Sequence, residues 1–216
     1  MRMFIFFPLL VLAVASPVQA DPPRKLLPVD EAAKDPSFFL FRARLLEAVA
    51  AHDAGFVLSI LTPDILNNFG GNGGIAEFKE QWKLDGKDSG LWTTLAHVLG
   101  LGGKFMGDAT FQAPYVSACW PEDADAFDFG AILGENVRVR DKPDKNGAVL
   151  ARLTFDMIPV LEFAPDHEED SWVKVKLPDE RVGYISAAFV GHAVDWRAFF
   201  EKKDGQWRMT SLVAGD

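Results

Sequence analysis

Asn136-Val137-Arg138-Val139-Arg140, then Trp172-Val173-Lys174-Val175-Lys176-Leu177, then Val182-Gly183-Tyr184-Ile185, form the stretch that decides the reading of this chain. The first two alternate apolar and charged residues. That is the period of a strand with one face in a core and one in solvent. Between them Asp141-Lys142-Pro143-Asp144-Lys145-Asn146-Gly147 is dense in turn formers. Ala148–Leu153 and Ile158–Phe163 are further strand candidates, and an acidic loop precedes Trp172. Pro178-Asp179-Glu180 is a tight turn, and Ser186–Val190 closes the unit. The pattern predicts that Val137, Val139, Val173, Val175 and Ile185 point inward together.

These blocks, in this order, resemble the bacterial Src-homology-3-like (SH3b) domain over Gly134–Val190. One departure is the last hairpin turn, where the family favours Asp-Gly and this chain has Asp179-Glu180. The resemblance implies a small closed antiparallel barrel used for binding, without catalysis. In related barrels aromatic residues line a peptide groove, so it implies Trp172 and Tyr184 as ligand-contacting residues. It also places the acidic loop carrying Asp166 and Glu168 where ligand-contacting loops fall. The rival reading makes Trp172 a wall of the barrel core.

Arg2, the apolar run Met3–Ala15 and the small-x-small ending Val18-Gln19-Ala20 read as a secretory signal peptide over 1–20. The run is short for a membrane span, which needs ~20 apolar residues, and no lipobox cysteine follows it. Cleavage after Ala20 leaves about 196 of 216 residues, enough for one or two domains. Cys119 is the single cysteine, so the chain holds no internal disulfide and depends on packing. The expected location is the periplasm. Loss of Arg2 leaves 21 basic against 31 acidic residues, a net charge of −10. Such a field repels phosphate backbones and anionic lipid heads, so nucleic acid and membrane surfaces are poor partners. No membrane span is expected after cleavage.

Asp21–Lys25 reads as a solvated leader. Asp35-Pro36 starts a helix to about Ala51, with Asp35 as N-cap. Asp53 caps a second, short helix that Pro63 stops; Ile65–Phe69 is a short strand or a bend. The glycine-rich run 70–74 is a loop, Ile75–Trp82 and the segment from Leu91 to Gly100 or Gly102-Gly103 are helices, and Thr110–Cys119 is extended. Trp196–Glu201 and Gln206–Val213 form a hairpin across Lys202-Lys203-Asp204-Gly205. A lone hairpin is marginal in water. The expected fold is therefore α+β: residues 21–133 and 193–216 make one helical/α+β domain, with the SH3-like barrel at 134–192 inserted in it or docked on it. The outer segments are weakly similar to the cystatin-like, nuclear-transport-factor-like cone fold.

Several constellations have plainer readings. The glycine loop offers backbone N–H groups to an anion, yet no Lys, Ser or Thr follows in phosphate-loop spacing. Asp166-His167-Glu168-Glu169-Asp170 lacks the alternating spacing of a calcium loop and reads as a solvated acidic loop. Cys119 stands in no nucleophile motif, so no catalytic residue, metal site or cofactor is expected. The function expected is a non-catalytic envelope protein that binds a peptide, a peptidoglycan fragment or a protein partner. The alternative is a small-molecule pocket or enzyme in the outer domain, with Asp64, Tyr115 or Arg197 lining a deep cavity. A third reading is an adaptor whose acidic surface docks a basic partner.

Overall fold

The computed structural model describes residues 24–71, 73–84, 88–164 and 171–215. The helices are α1 (Pro36–Ala50), α2 (Ala54–Ser59), α3 (Ile75–Trp82), α4 (Leu91–Gly100) and a single turn, α5 (Tyr115–Ala118). The strands are β1 (Leu61–Leu66), β2 (Lys104–Gly107), β3 (Thr110–Ala113), β4 (Phe129–Ile132), β5 (Val137–Arg140) and β6 (Val149–Leu153). They continue with β7 (Met157–Glu162), β8 (Trp172–Lys176), β9 (Val182–Ser186), β10 (Val190–Gly191), β11 (Arg197–Lys203) and β12 (Gln206–Val213). The chain is mixed α+β with two sheets.

The first sheet has the order β1-β12-β11-β3-β2, with β1 and β12 parallel and the rest antiparallel. The C-terminal hairpin thus occupies the middle of a sheet begun by the amino-terminal half. Its turn is Asp204-Gly205, both at positive φ, which matches the right-handed twist of the strands it joins. Phe38 of α1 seals the sheet: its ring lies 4.1 Å from Phe111, 4.8 Å from Trp207 and 5.7 Å from Phe200. The cap of α1 reaches the hairpin as well. Asp35 accepts from Ser37 and Phe38 N–H. Ser37 Oγ in turn accepts from Lys202 Nζ at 2.8 Å and Trp207 Nε1 at 3.0 Å. Sequence reasoning missed that β1 begins at Leu61 and contains Pro63. An edge strand tolerates proline because one row of its N–H groups needs no partner. It also missed β2, and it ran β3 on to Cys119, where the chain instead turns through α5.

The second sheet has the order β10-β4-β7-β8-β9-β5-β6. Val137, Val139, Val173, Val175 and Ile185 are buried in one cluster with Ile132, Ile158 and Val190. The expected closed barrel is not what forms: among the described residues no ladder joins the edges β10 and β6. The reason lies in β4. This short segment, Phe129-Gly130-Ala131-Ile132, precedes the expected start at Gly134 and pairs with both β7 and β10. The last strand extends that end of the ladder instead of returning to β5 or β6. At the other end β5 meets β9 through one register pair, Arg140↔Tyr184. A Cβ at Gly183 would collide with Val139 Cγ1 and lie 3.1 Å from Arg140 O, so glycine permits that approach.

The described part of the leader, Arg24 and Lys25, is exposed, yet it is bonded to the chain around Asp156. Arg24 O accepts from Met157 N, Leu26 N donates to Phe155 O, and Lys25 Nζ pairs with buried Asp156 at 2.8 Å. Leu26 joins Tyr115, Val116, Ala131 and Met157 in a small cluster drawn from both units. Residues 1–20, read as the signal peptide, and Asp21–Pro23 lie outside the described residues. Among those described, no helix is long and apolar enough to cross a membrane.

Candidate functional site

The outward face of the second sheet carries a groove of about 780 Å³. Its position follows from strand alternation. With Val173 and Val175 turned inward, Trp172 stands on the opposite face of β8, half-buried, directly across from Ser186 of β9. Arg138 and Arg140 share the corresponding face of β5, and Arg152 of β6 lies opposite Arg138. The 3-10 turn Ala187–Phe189 presents Phe189, 49% exposed, at the groove's edge. The β5–β6 loop supplies Pro143, Asp144 and Lys145.

The loop is held in place by its own chemistry. Arg140 Nη1 donates to Gly147 O at 2.7 Å. Asp144 accepts from Asn146 N at 2.7 Å, and that hydrogen bond is the main cause holding its carboxyl below the usual range. The groove lining therefore holds four cations, Arg138, Arg140, Lys145 and Arg152, against two carboxylates, Glu135 and Asp144. Sequence reasoning did not single out any of these six, nor Phe189. The signal was present: Arg138 and Arg140 have the outward parity of a strand whose valines face in.

Of the four residues expected to contact ligand, Trp172 lines the groove. Tyr184 lies on the same outward face, paired with Lys174 and Arg140, and is absent from the groove lining. Asp166 and Glu168 lie outside the described residues.

A second cavity of about 370 Å³ lies at the junction of the two units. It is walled by α4 (Thr93, Thr94, His97), by Pro114 and Val116, and by Val190, His192 and Asp195. It differs in place and lining from the cavity expected inside the outer domain. There Phe38, Phe111, Phe200 and Trp207 fill the space between helices and sheet. Asp64 is exposed on the edge strand, and Arg197 donates to Ala193 O and Gly215 O. Tyr115 is buried in the junction cluster, where desolvation pushes its hydroxyl up to about 12. The three do not converge.

Two remaining candidates are accounted for. The glycine loop does present an N–H group to an anion, and the anion is its own Glu77. Glu77 accepts from Gly73 N at 2.7 Å and from Asn67 and Asn68 Nδ2, each at 3.1 Å. These bonds, the Asn67 one foremost, hold its carboxyl below the usual range. Cys119 is half-buried beside the junction cluster, and burial pushes its thiol up, opposite to an activated thiolate. Among the described residues no group of three or more His, Cys, Asp or Glu is placed to hold a metal ion.

Comparison with family models, with curated proteins and with solved structures returned no match for the chain.

Proposed function

We propose that the chain is a non-catalytic binding protein of the cell envelope that lays a short extended peptide segment into the groove on its second sheet. The observation carrying this reading is the outward Trp172 beside the half-exposed Phe189, above a groove of about 780 Å³. An indole offers a flat apolar face and one N–H, which suits a peptide backbone or a proline ring. An open groove of this kind fits an elongated ligand better than a compact one. The six strands from β5 to β10, with the 3-10 turn before the last, keep the SH3b resemblance as the fold-level part of this proposal. The leader sequence supports secretion, and the periplasm is the proposed location.

The test uses the full mature chain and a Trp172→Ala variant. Each is mixed with purified peptidoglycan sacculi and, separately, with a set of synthetic peptides followed by NMR. Wild type is expected to bind peptides, or sacculi through their stem peptides, with shifts at Ser186 and Phe189. Trp172→Ala is expected to weaken binding at least about tenfold, as aromatic groove residues dominate such contacts. Equal binding by both proteins would remove Trp172 from the site. No binding to either ligand would end the reading.

The junction cavity supports a second reading, a small-molecule pocket. Its volume lies in the usual range for small ligands, and its apolar wall carries two histidines and an aspartate. Ala188→Trp, which fills it, would abolish ligand-induced shifts at His97 on this reading and leave groove binding intact.

A further inference from the structure

We propose that the groove selects an acidic peptide segment, one with a carboxylate side chain next to the residue that packs on Trp172. This rests on the peptide-groove reading above and names its ligand class. The observation is a pair of like charges placed face to face. Arg138 and Arg152 are direct cross-strand partners on β5 and β6, both exposed and both lining the groove. Like charges directly opposite each other destabilise a strand pair. Here the opposition is not relieved from within: among the described residues neither arginine takes part in an ion pair.

The neighbouring groups sharpen the charge. Arg140 lies two residues along the same strand face, and Lys145 sits on the loop above. Of the two groove carboxylates, Asp144 is engaged by Asn146 N and approached by Lys142 at 4.0 Å, and Glu135 stands before β5 begins. A guanidinium fork matches a carboxylate in two parallel hydrogen bonds. One carboxylate between Arg138 and Arg152 answers both charges, while the ligand's apolar neighbour takes the indole face of Trp172. The net charge of the whole chain, −9, argues against acidic ligands at long range. Screening limits that repulsion to about 8 Å at physiological salt, so the local row of cations decides.

The experiment titrates the full mature chain by calorimetry with one aromatic-containing peptide in three forms, flanked by Glu, Gln or Lys. The Glu form is expected to bind roughly tenfold or more tightly than the Gln form, with affinity falling as salt rises. The Lys form is expected to bind weakest. In the Arg138→Gln, Arg152→Gln double variant, which keeps Arg140 and Lys145, the preference for the Glu form over the Gln form is expected to shrink severalfold. The dispersion of the amide NMR signals shows that the variant is folded, and an undiminished preference overturns the role of this pair. Inorganic phosphate is the control anion and is expected to compete only weakly. Equal binding of the Glu and Gln forms overturns the acidic preference while leaving the peptide groove standing. Binding of phosphate in place of the Glu peptide overturns the peptide assignment. Binding of no form overturns both.

Discussion

At the scale of single residues, two positions carry a cost that a substitution removes. Glu180, in the β8–β9 turn, sits at φ +68°, the left-handed region that penalises a Cβ. The turn is otherwise sound: Glu180 N donates to Leu177 O, and Leu177 N donates to Arg181 O. Glu180 pairs with Lys176 at 2.5 Å, yet its side chain is 77% exposed and such a pair contributes little. Glu180→Gly is therefore expected to raise stability by ~0.5–1 kcal/mol, read as a higher urea midpoint with unchanged slope. The backbone at Glu180 thus keeps a geometry that glycine would ease. The second position is Arg152, opposite Arg138. Arg152→Thr is expected to stabilise the unliganded protein by ~0.2–1 kcal/mol in the same measurement. A loss of stability would mean that the two guanidinium groups stack or share an unrecognised counter-charge.

At the scale of elements, what the sequence made legible depended on how much of the signal was local. Alternation in Val137–Arg140 and Trp172–Lys176 gave the buried face of the second sheet, because a period of two allows one assignment once the valines are placed. The same alternation bore on the groove. If Val173 and Val175 face in, Trp172 faces out, so its orientation was already present in the neighbouring residues. Asp35-Pro36 and Asp53 located two helix starts because an N-cap acts within one turn. β4 was hidden: four residues with a glycine among them carry almost no period, and only pairing with β7 and β10 makes them a strand. The same is true of β2. Closure of the sheet was equally out of reach, since it depends on which partner β10 chooses. The cap of α1 shows how a local signal acquires a distant role. Ser37 Oγ takes hydrogen bonds from Lys202 and from Trp207, a residue only 5% exposed. Ser37→Ala leaves the buried indole N–H unpaired and is expected to cost about 1–3 kcal/mol. Ser37→Thr, which retains the hydroxyl, is expected to recover most of it.

At the scale of the molecule, that same contact ties its two ends together and titrates. The carboxyl of Asp35 is lowered to about 2, first by the Ser37 hydroxyl and then by backbone N–H groups and Lys202. A depressed carboxyl contributes stability that is fully present above its ordinary value, near 4, and is lost as pH falls through its folded value. The thermal midpoint is thus expected to fall between about pH 4 and pH 2, and Asp35→Asn, which preserves the cap, to flatten that fall. The contact matters because of where the hairpin lies. β12 stands between β1 and β11, and β11 between β12 and β3, so the last strands of the chain are the middle of its first sheet. Ala198, Phe200, Trp207, Met209 and Leu212 are all buried in the core that Phe38 seals. The core of the second sheet, by contrast, takes none of its buried residues from beyond Val190. A chain ending at His192 is therefore expected to lose the first unit as a whole. Its helical circular dichroism would collapse, while the amide signals of Val139, Val175 and Ile185 remain dispersed. If the shortened chain kept its helices, the amino-terminal half would hold a core of its own. The hairpin would then be an addition to that half and not its keystone.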